Sequence, residues 1–258
     1  VGGLVPLARG PAGGGRWGAP GTPRGQENGG RLGAGLDPGG GEYLLYFPLY
    51  NGVGAVEIGV PGPARLEPGP PRPDRRGRPL VFYGTSITQG GCASRPGMGH
   101  PAILGRWLDR PVVNLGFSGQ GRMDLELAGL LAEIDAAAYV IDCLPNMNGE
   151  VVAERAAPFV RALRAKRPDT PILLVEDRSF TDSWIRADRR RHHAASRAAL
   201  RAAFAELRAE GVQGLHYLEG AELLGDDAEA AVDGSHPTDL GFVRQARVFA
   251  AALRPMLD

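Results

Sequence analysis

From residue 80 onwards, short apolar runs alternate with longer stretches that mix apolar and polar positions. Five runs are almost continuously apolar, as strands buried on both faces of a sheet are: residues 80–83, 112–113, 139–141, 172–175 and 215–218. The stretches between them suit helices, and the clearest repeats Leu200, Phe204 and Leu207 on one face and ends near Gly211. Pro158 interrupts another, so a break or kink is expected there. Strands that alternate with helices predict a doubly wound, three-layer α/β/α fold with a parallel five-stranded sheet.

The pattern before residue 80 is different. Residues 1–41 consist largely of Gly, Pro and Arg without apolar periodicity, which predicts a disordered leader. Two β-rich runs, 43–50 and 53–60, flank Asn51-Gly52, which is a strong signal for a β-hairpin. Because an isolated hairpin is marginal in water, we expect it to be the remnant of an N-terminal β-domain with a truncated or frame-shifted start. The predicted units are the leader at 1–41, the β-remnant at 42–61, a linker at 62–78 and the main domain at 79–258.

Composition narrows the classes of function. Lys plus Arg and Asp plus Glu each number 29 in 258 residues, so the formal charge is zero and neither nucleic acid nor an anionic membrane is an expected partner. No apolar run reaches the roughly 18 residues of a membrane span, which predicts a soluble protein, cytoplasmic by default, with export left open because the chain begins with Val1. No Cys/His cluster has metal-ligand spacing, and no metal is expected. Cys92 and Cys143 are interpreted as free thiols, with a disulfide between them left open, and the sequence indicates no oligomeric state.

The loops after successive strands carry polar residues that could meet in one place. In parallel sheets, ligands lie outside the carboxyl ends of the strands, where these loops come together. A glycine-rich turn holds Ser86 after the first strand, glycines that expose backbone N–H groups follow the second, and Asn146 follows the third. Asp233 and His236 stand just before the last helix. Each feature alone is weak, but their joint occurrence predicts a single site at this edge of the sheet.

These four blocks resemble those of the SGNH hydrolases, the GDSL family of esterases and lipases, named for a Ser, a Gly, an Asn and a His. The resemblance runs from about residue 79 to the C-terminus, and residues 43–60 resemble the end of the small β-sandwich domain that precedes the hydrolase domain in one branch. It implies an SGNH or flavodoxin-like sheet and hydrolysis of carboxylic esters through an acyl-serine intermediate, without a cofactor. The implied substrates are small-molecule or carbohydrate esters, including small acyl esters of sugars. The first block reads Gly-Thr-Ser-Ile and the third Leu-Pro-Asn-Met, where Gly-Asp-Ser-Leu and Gly-x-Asn-Asp are commoner, but the reactive Ser and Asn are retained.

The resemblance implies a role for five residues. Ser86 is the implied nucleophile, and Asp233 and His236 complete a catalytic triad. A serine hydroxyl is a poor nucleophile at neutral pH, but an imidazole held by a carboxylate can remove its proton and later pass that proton to the leaving alcohol. The implied oxyanion hole consists of the backbone N–H groups of Ser86 and Gly119 and the side-chain amide of Asn146.

Some of these assignments have alternatives. Gly116 competes with Gly119 for the oxyanion role. Phe180 and Trp184 lie in a long loop after the fourth strand, and we expect them to line the acyl or alcohol pocket of the substrate site. Two other functions fit the same residues: an acyltransferase, in which an alcohol or sugar replaces water, and a carbohydrate-binding homologue that has lost its chemistry.

Overall fold

The computed structural model describes residues 7–9, 16–18, 39–72 and 74–257. Within these ranges the strands form two sheets. The smaller sheet is antiparallel and consists of β1 Leu7–Arg9, β2 Arg16–Gly18 and β3 Tyr43–Leu45. The main sheet consists of β4 Leu80–Gly84, β5 Val112–Gly116, β6 Ala138–Asp142, β7 Ile172–Val175 and β8 Leu215–Leu218.

The main sheet is parallel throughout, with the strand order β5-β4-β6-β7-β8. This order confirms the predicted doubly wound fold and is the flavodoxin-like one. The chain moves from β4 to β5 on one side and then crosses to β6 on the other, so the strand order reverses at β4. Ligands of such sheets bind in the crevice at the carboxyl end of the strands where the order reverses. The residues directly after β4 are therefore well placed for a functional site.

Helices alternate with the strands of the main sheet as predicted. The α-helices are α1 Asp74–Gly77, α2 Ser86–Gln89, α3 His100–Trp107, α4 Leu125–Leu131, α5 Gly149–Lys166, α6 Ala187–Ala209 and α7 Asp239–Leu257, and two 3₁₀ helices span Pro96–Met98 and Leu144–Asn146. Helix α6 ends as predicted, because Gly211 adopts a left-handed φ of +84° just beyond it. Of the break or kink predicted at Pro158, the break is wrong, since α5 is continuous through it, and the kink stays a prediction. Burial of the neighbouring residues Ala157, Phe159 and Val160 in the core stabilises this turn against the missing hydrogen bond.

Two hydrophobic clusters, one on each face of the main sheet, hold the helices in place. Successive residues of a strand point to opposite faces. Val81 and Tyr83 of β4 accordingly join one cluster, together with residues of α4, α5 and α6. Leu80 and Phe82 join the other, together with residues of α3 and α7. The three inner strands β4, β6 and β7 are covered on both faces and buried at every position, which explains their continuous apolar runs in the sequence.

The N-terminal segment differs from the prediction. Strand β3 pairs antiparallel with β1, with Leu45 opposite Leu7. Residues 51–60 are described throughout and contain no strand, so the predicted β-hairpin is wrong. Strand β3 pairs with β1, which lies far earlier in the chain, and not with the run 53–60 that follows Asn51-Gly52. Strands β1 and β2 also lie inside the leader that was expected to be disordered, and the other residues of 1–38 lie outside the described ranges.

Two smaller expectations concern membranes and thiols. No helix in the described part of the chain is long and apolar enough to cross a membrane. Cys92 is exposed and Cys143 is buried, and both are free thiols, as interpreted from the sequence. Burial raises the pKa of the Cys143 thiol well above its ordinary value, so this cysteine is a neutral core residue.

Candidate active site

Three side chains form a hydrogen-bonded chain at the carboxyl edge of the main sheet. Ser86 Oγ lies 2.8 Å from His236 Nε2, and His236 Nδ1 lies 2.7 Å from Asp233 Oδ2. The carboxylate favours a proton on Nδ1, which leaves Nε2 to accept the hydroxyl hydrogen of Ser86. Ser86 comes directly after β4, whereas Asp233 and His236 come from the loop between β8 and α7. The fold thus brings together the three residues that the sequence assigned to a triad.

The carboxylate of Asp233 also organises its own loop. Its Oδ1 accepts hydrogen bonds from the backbone N–H groups of Ser235 (2.9 Å) and His236 (2.8 Å). Partial burial opposes ionisation, but the hydrogen bonds from the His236 backbone and ring and from Ser235 outweigh it and lower the pKa of Asp233 to about 2. The backbone N–H of Val232 donates to the carbonyl of His236 at 2.8 Å and closes the loop. The imidazole is therefore held by a carboxylate that is ionised at neutral pH.

Ser86 stands on a tight turn and is half-buried. The Thr85 hydroxyl caps α2 by accepting from the Ile87 N–H at 3.2 Å. The helix ends after one turn at Gly90, whose φ is +105° and whose N–H donates to the Ser86 carbonyl at 3.0 Å. A Cβ on Gly91 would lie 2.9 Å from the Tyr50 hydroxyl and 3.1 Å from the Ser86 carbonyl, so this close packing beside Ser86 favours a residue without a side chain.

A buried ion pair braces this turn. Asp142, at the end of β6, accepts from the Thr88 hydroxyl of α2 at 2.9 Å and from the Arg178 guanidinium at 2.7 and 2.9 Å. Both charged side chains are fully buried, and Gln245 Oε1 of α7 accepts from the same guanidinium at 2.7 and 3.0 Å. Burial lowers the pKa of the neighbouring His100 to about 3, so that ring is neutral. The pair joins β6, the loop after β7 and α7 to the turn that carries Ser86.

In the loop after β5, the backbone N–H of Gly119 has no acceptor among the described residues. Gly119 adopts a left-handed φ of +72°. Gly116, the alternative, already donates its N–H to Asn114 Oδ1 at 3.0 Å. A Cβ on Gly116 would also lie 2.1 Å from the Gln89 backbone nitrogen, so this glycine serves close packing. Of the two, Gly119 is the residue whose N–H is free for a ligand.

The amide of Asn146 is oriented by the same loop. In one orientation its Nδ2 makes only a long contact of 3.5 Å to the Gly121 carbonyl. In the other, Oδ1 accepts from the N–H groups of Gln120 and Gly121 at 3.3 Å each, and we assign this one because it satisfies more hydrogen bonds. Nδ2 is then free to donate to a ligand. A shared oxyanion role for Ser86, Gly119 and Asn146 stays a prediction, with the three residues on adjoining loops.

Residues 46–50, ahead of the main sheet, dock beside the site, which the sequence analysis missed. The Tyr50 hydroxyl donates to the Ser86 carbonyl at 3.2 Å. Leu49 fills the space over Gly90, where a Cβ would lie 2.4 Å from its Cδ1. The run was interpreted as one arm of a hairpin, because aromatic and aliphatic residues suit a strand as well as a contact surface.

Gln89 connects this segment to the loop that carries Gly119. Its Nε2 donates to the Leu49 carbonyl at 3.0 Å. Its Oε1 accepts from the Ser118 N–H, also at 3.0 Å. One side chain therefore bridges the N-terminal segment and the residue directly before the predicted oxyanion donor.

Phe180 and Trp184 occupy the loop between β7 and α6. Phe180 packs edge-on against the His193 ring, with centroids 4.4 Å apart, whereas Trp184 is 77% exposed. A backbone hydrogen bond connects this loop to the loop that carries Asp233 and His236, because the Thr181 N–H donates to the Gly234 carbonyl at 2.9 Å. Substrate binding by the two aromatic residues stays a prediction.

A flavodoxin-like sheet with a Ser–His–Asp chain at its carboxyl edge defines a class of protein, the SGNH-type hydrolases. Residues 77–254 match the model of the GDSL-like Lipase/Acylhydrolase family, and the chain belongs to that family. The crystal structure of a protein described as a GDSL-like lipase from Bacteroides ovatus ATCC 8483 superposes with a TM-score of 0.88. That protein is 35% identical, and the match covers 98% of this chain and 74% of that one.

More distant structures share the fold. A salicylyl-acyltransferase, SsfX3, from a tetracycline biosynthetic pathway is 18% identical, with a TM-score of 0.67 over 98% of this chain and 74% of that chain. A family two carbohydrate esterase from Clostridium thermocellum, in complex with cellohexaose, is 16% identical, with a TM-score of 0.54 over 72% of this chain and 66% of that chain. No curated protein matches the sequence significantly.

Proposed function

We propose that this hydrolase is a serine esterase that cleaves carboxylic esters through an acyl-serine intermediate. The observation that carries the proposal is the 2.8 Å contact between Ser86 Oγ and His236 Nε2, with Asp233 2.7 Å from the other ring nitrogen. A hydroxyl, an imidazole and a carboxylate in one hydrogen-bonded chain can activate serine without any further group. Residues 79–258 form the hydrolase domain in this proposal.

In the first half-reaction, Ser86 Oγ attacks the ester carbonyl while His236 Nε2 takes the hydroxyl proton. The carbonyl electron pair moves onto oxygen, and the resulting oxyanion accepts hydrogen bonds from the N–H groups of Ser86 and Gly119 and from Asn146 Nδ2. Asp233 stays ionised and stabilises the imidazolium. When the intermediate collapses, the bond to the alcohol oxygen breaks and His236 passes its proton to the leaving alcohol.

The second half-reaction repeats these steps with water. His236 Nε2 removes a proton from the water molecule as its oxygen attacks the acyl carbon. The bond from that carbon to Ser86 Oγ then breaks, Ser86 Oγ regains a proton from His236, and the free acid leaves. If an alcohol takes the place of water, the product is a new ester, and the protein acts as an acyltransferase.

The proposed substrates are small acyl esters, including those of sugars. The His236 side chain is 32% exposed and the Asp233 side chain 53% exposed, so the reacting groups lie at the surface, where a bulky alcohol can approach. The complex of a carbohydrate esterase of the same fold with cellohexaose is consistent with such an alcohol.

A chain-length series of simple esters beside acetylated sugars tests this function. We expect the native chain to release free acid and Ser86→Ala to release none above the uncatalysed rate. Ser183→Ala, which removes a hydroxyl from a serine outside the triad, serves as the control and keeps the activity. Adding acceptor alcohols separates hydrolysis from acyl transfer, since transfer yields a new ester. Equal activity of Ser86→Ala and the native chain would overturn the proposal.

A further inference from the structure

A cleft of about 500 Å³ adjoins the predicted oxyanion donors. Gly119 and Asn146 line one part of it, and Arg122, Arg155 and His192 line another. None of the residues that line this cleft is an Asp or a Glu. The cleft therefore combines neutral hydrogen-bond donors with basic side chains and offers no carboxylate of its own.

The two arginines of the cleft differ in how their charge is compensated. Arg155 is paired with Asp124 and also donates to the Arg122 carbonyl at 3.2 Å. Arg122 is exposed, and its guanidinium has no carboxylate partner in the part of the chain that the structure describes. Guanidinium groups bind carboxylates through paired hydrogen bonds, which are stronger than those between neutral groups. Arg122 thus leaves one positive charge available to a ligand.

The position of the cleft indicates which part of an ester it would receive. The leaving alcohol has to lie beside His236 Nε2, because that atom supplies its proton. Neither His236 nor Ser86 lines the cleft, whereas Gly119 and Asn146, two of the three predicted donors for the carbonyl oxygen, do. Since the leaving alcohol stays beside His236, the acyl group is the part of the ester that we place towards this cleft.

We propose that this cleft binds the acyl group of the substrate and favours acyl groups that carry a carboxylate. The substrate class is then the half-ester of a dicarboxylic acid, with Arg122 binding the free carboxylate. This inference rests on the proposed esterase function and specifies its substrate.

Two pairs of ethyl esters test the inference on the intact chain. Monoethyl succinate and monoethyl adipate carry an anionic acyl group, and ethyl pentanoate and ethyl heptanoate are neutral partners of similar length with the same leaving group. We expect kcat/KM, measured by ethanol release, to be about five- to twentyfold higher for the anionic member of at least one pair. Raising the ionic strength should reduce this ratio.

Variants assign the preference to one side chain. Arg122→Gln should lower the anionic-to-neutral ratio to about one, and Arg122→Lys should restore part of it. Arg247→Gln removes a comparable exposed guanidinium from α7 and should leave the ratio as in the native chain. Hydrolysis of the neutral esters without any anionic preference would overturn this inference while the esterase function stands. If no ester is hydrolysed, the esterase function and this inference both fail.

Discussion

Asn146 and Asn148 are two amides on one short stretch of chain, and their contacts give them different tasks. Asn148 accepts from the Val151 N–H at 2.9 Å and caps α5. Asn146 is held by the loop after β5 and keeps Nδ2 free. Replacing each in turn therefore separates an effect on the reaction from an effect on folding.

We expect Asn146→Ala to lower kcat by about 100- to 1,000-fold, the usual loss for one oxyanion donor, with little change in stability. Asn148→Ala should cost about 0.5–2 kcal/mol of stability, as lost helix caps do, with a much smaller effect on turnover. Steady-state kinetics and urea unfolding on both variants measure the contrast. Unchanged turnover in Asn146→Ala would remove this residue from the mechanism.

The side chain of Gln89 connects two elements, the segment before the main sheet and the loop after β5. Gln89 holds the Leu49 carbonyl and the Ser118 N–H at 3.0 Å each. The next residue, Gly119, adopts a left-handed φ of +72°. Few other contacts of this loop fix the direction of the Gly119 N–H. Small misplacements of catalytic groups cost rate more than they cost stability.

Gln89→Leu keeps the size of this side chain and removes both hydrogen bonds. We expect kcat to fall about tenfold or more, because the Ser118–Gly119 loop loses its anchor, while KM changes less. Gln89→Glu should restore part of the kinetics only if the loss of the Ser118 bond is the cause, since a carboxylate still accepts but cannot donate to Leu49. Gln213→Leu, on an exposed loop before β8, is the control. If Gln89→Leu loses stability but keeps the kcat of the native chain, the bridge serves folding alone.

The elements of the main sheet could be predicted because each strand carries its own signal. A strand such as β4 is apolar at every position, and the helices that cover it fix its two faces. The pairing of β3 could not be predicted, because its partner β1 lies far away in the chain and the local Asn51-Gly52 signal pointed to the wrong neighbour. Pro158 failed as a break for a similar reason, since the core around it outweighs the local preference.

The buried ion pair between Asp142 and Arg178 connects the turn that carries Ser86 to distant parts of the fold. Removing only one charge of such a pair leaves the other buried and uncompensated. We expect Arg178→Met to destabilise the protein by about 3–5 kcal/mol in urea unfolding, because the Asp142 carboxylate then stays buried without a compensating charge. The double variant Asp142→Asn/Arg178→Met should recover part of this loss. A single-variant loss below about 1 kcal/mol would contradict a structural role for the pair.

Much of the candidate site could be predicted from sequence because its members follow successive strands of one sheet, whose carboxyl ends share an edge. Ser86, Asn146 and His236 each stand out as polar residues in such loops. Tyr50 could not be found this way. Its role depends on a contact between segments far apart in the chain, and tyrosine is a residue type that is common at surfaces.

The proposed role of Ser86 as nucleophile is tested most directly by finding which atom a fluorophosphonate probe modifies. Such probes react with a serine hydroxyl only where a neighbouring base activates it. We expect one label per chain, located on Ser86 by peptide mass spectrometry, absent in Ser86→Ala and strongly slowed in His236→Ala. A label on another residue, or none in a chain that hydrolyses esters, would contradict this role.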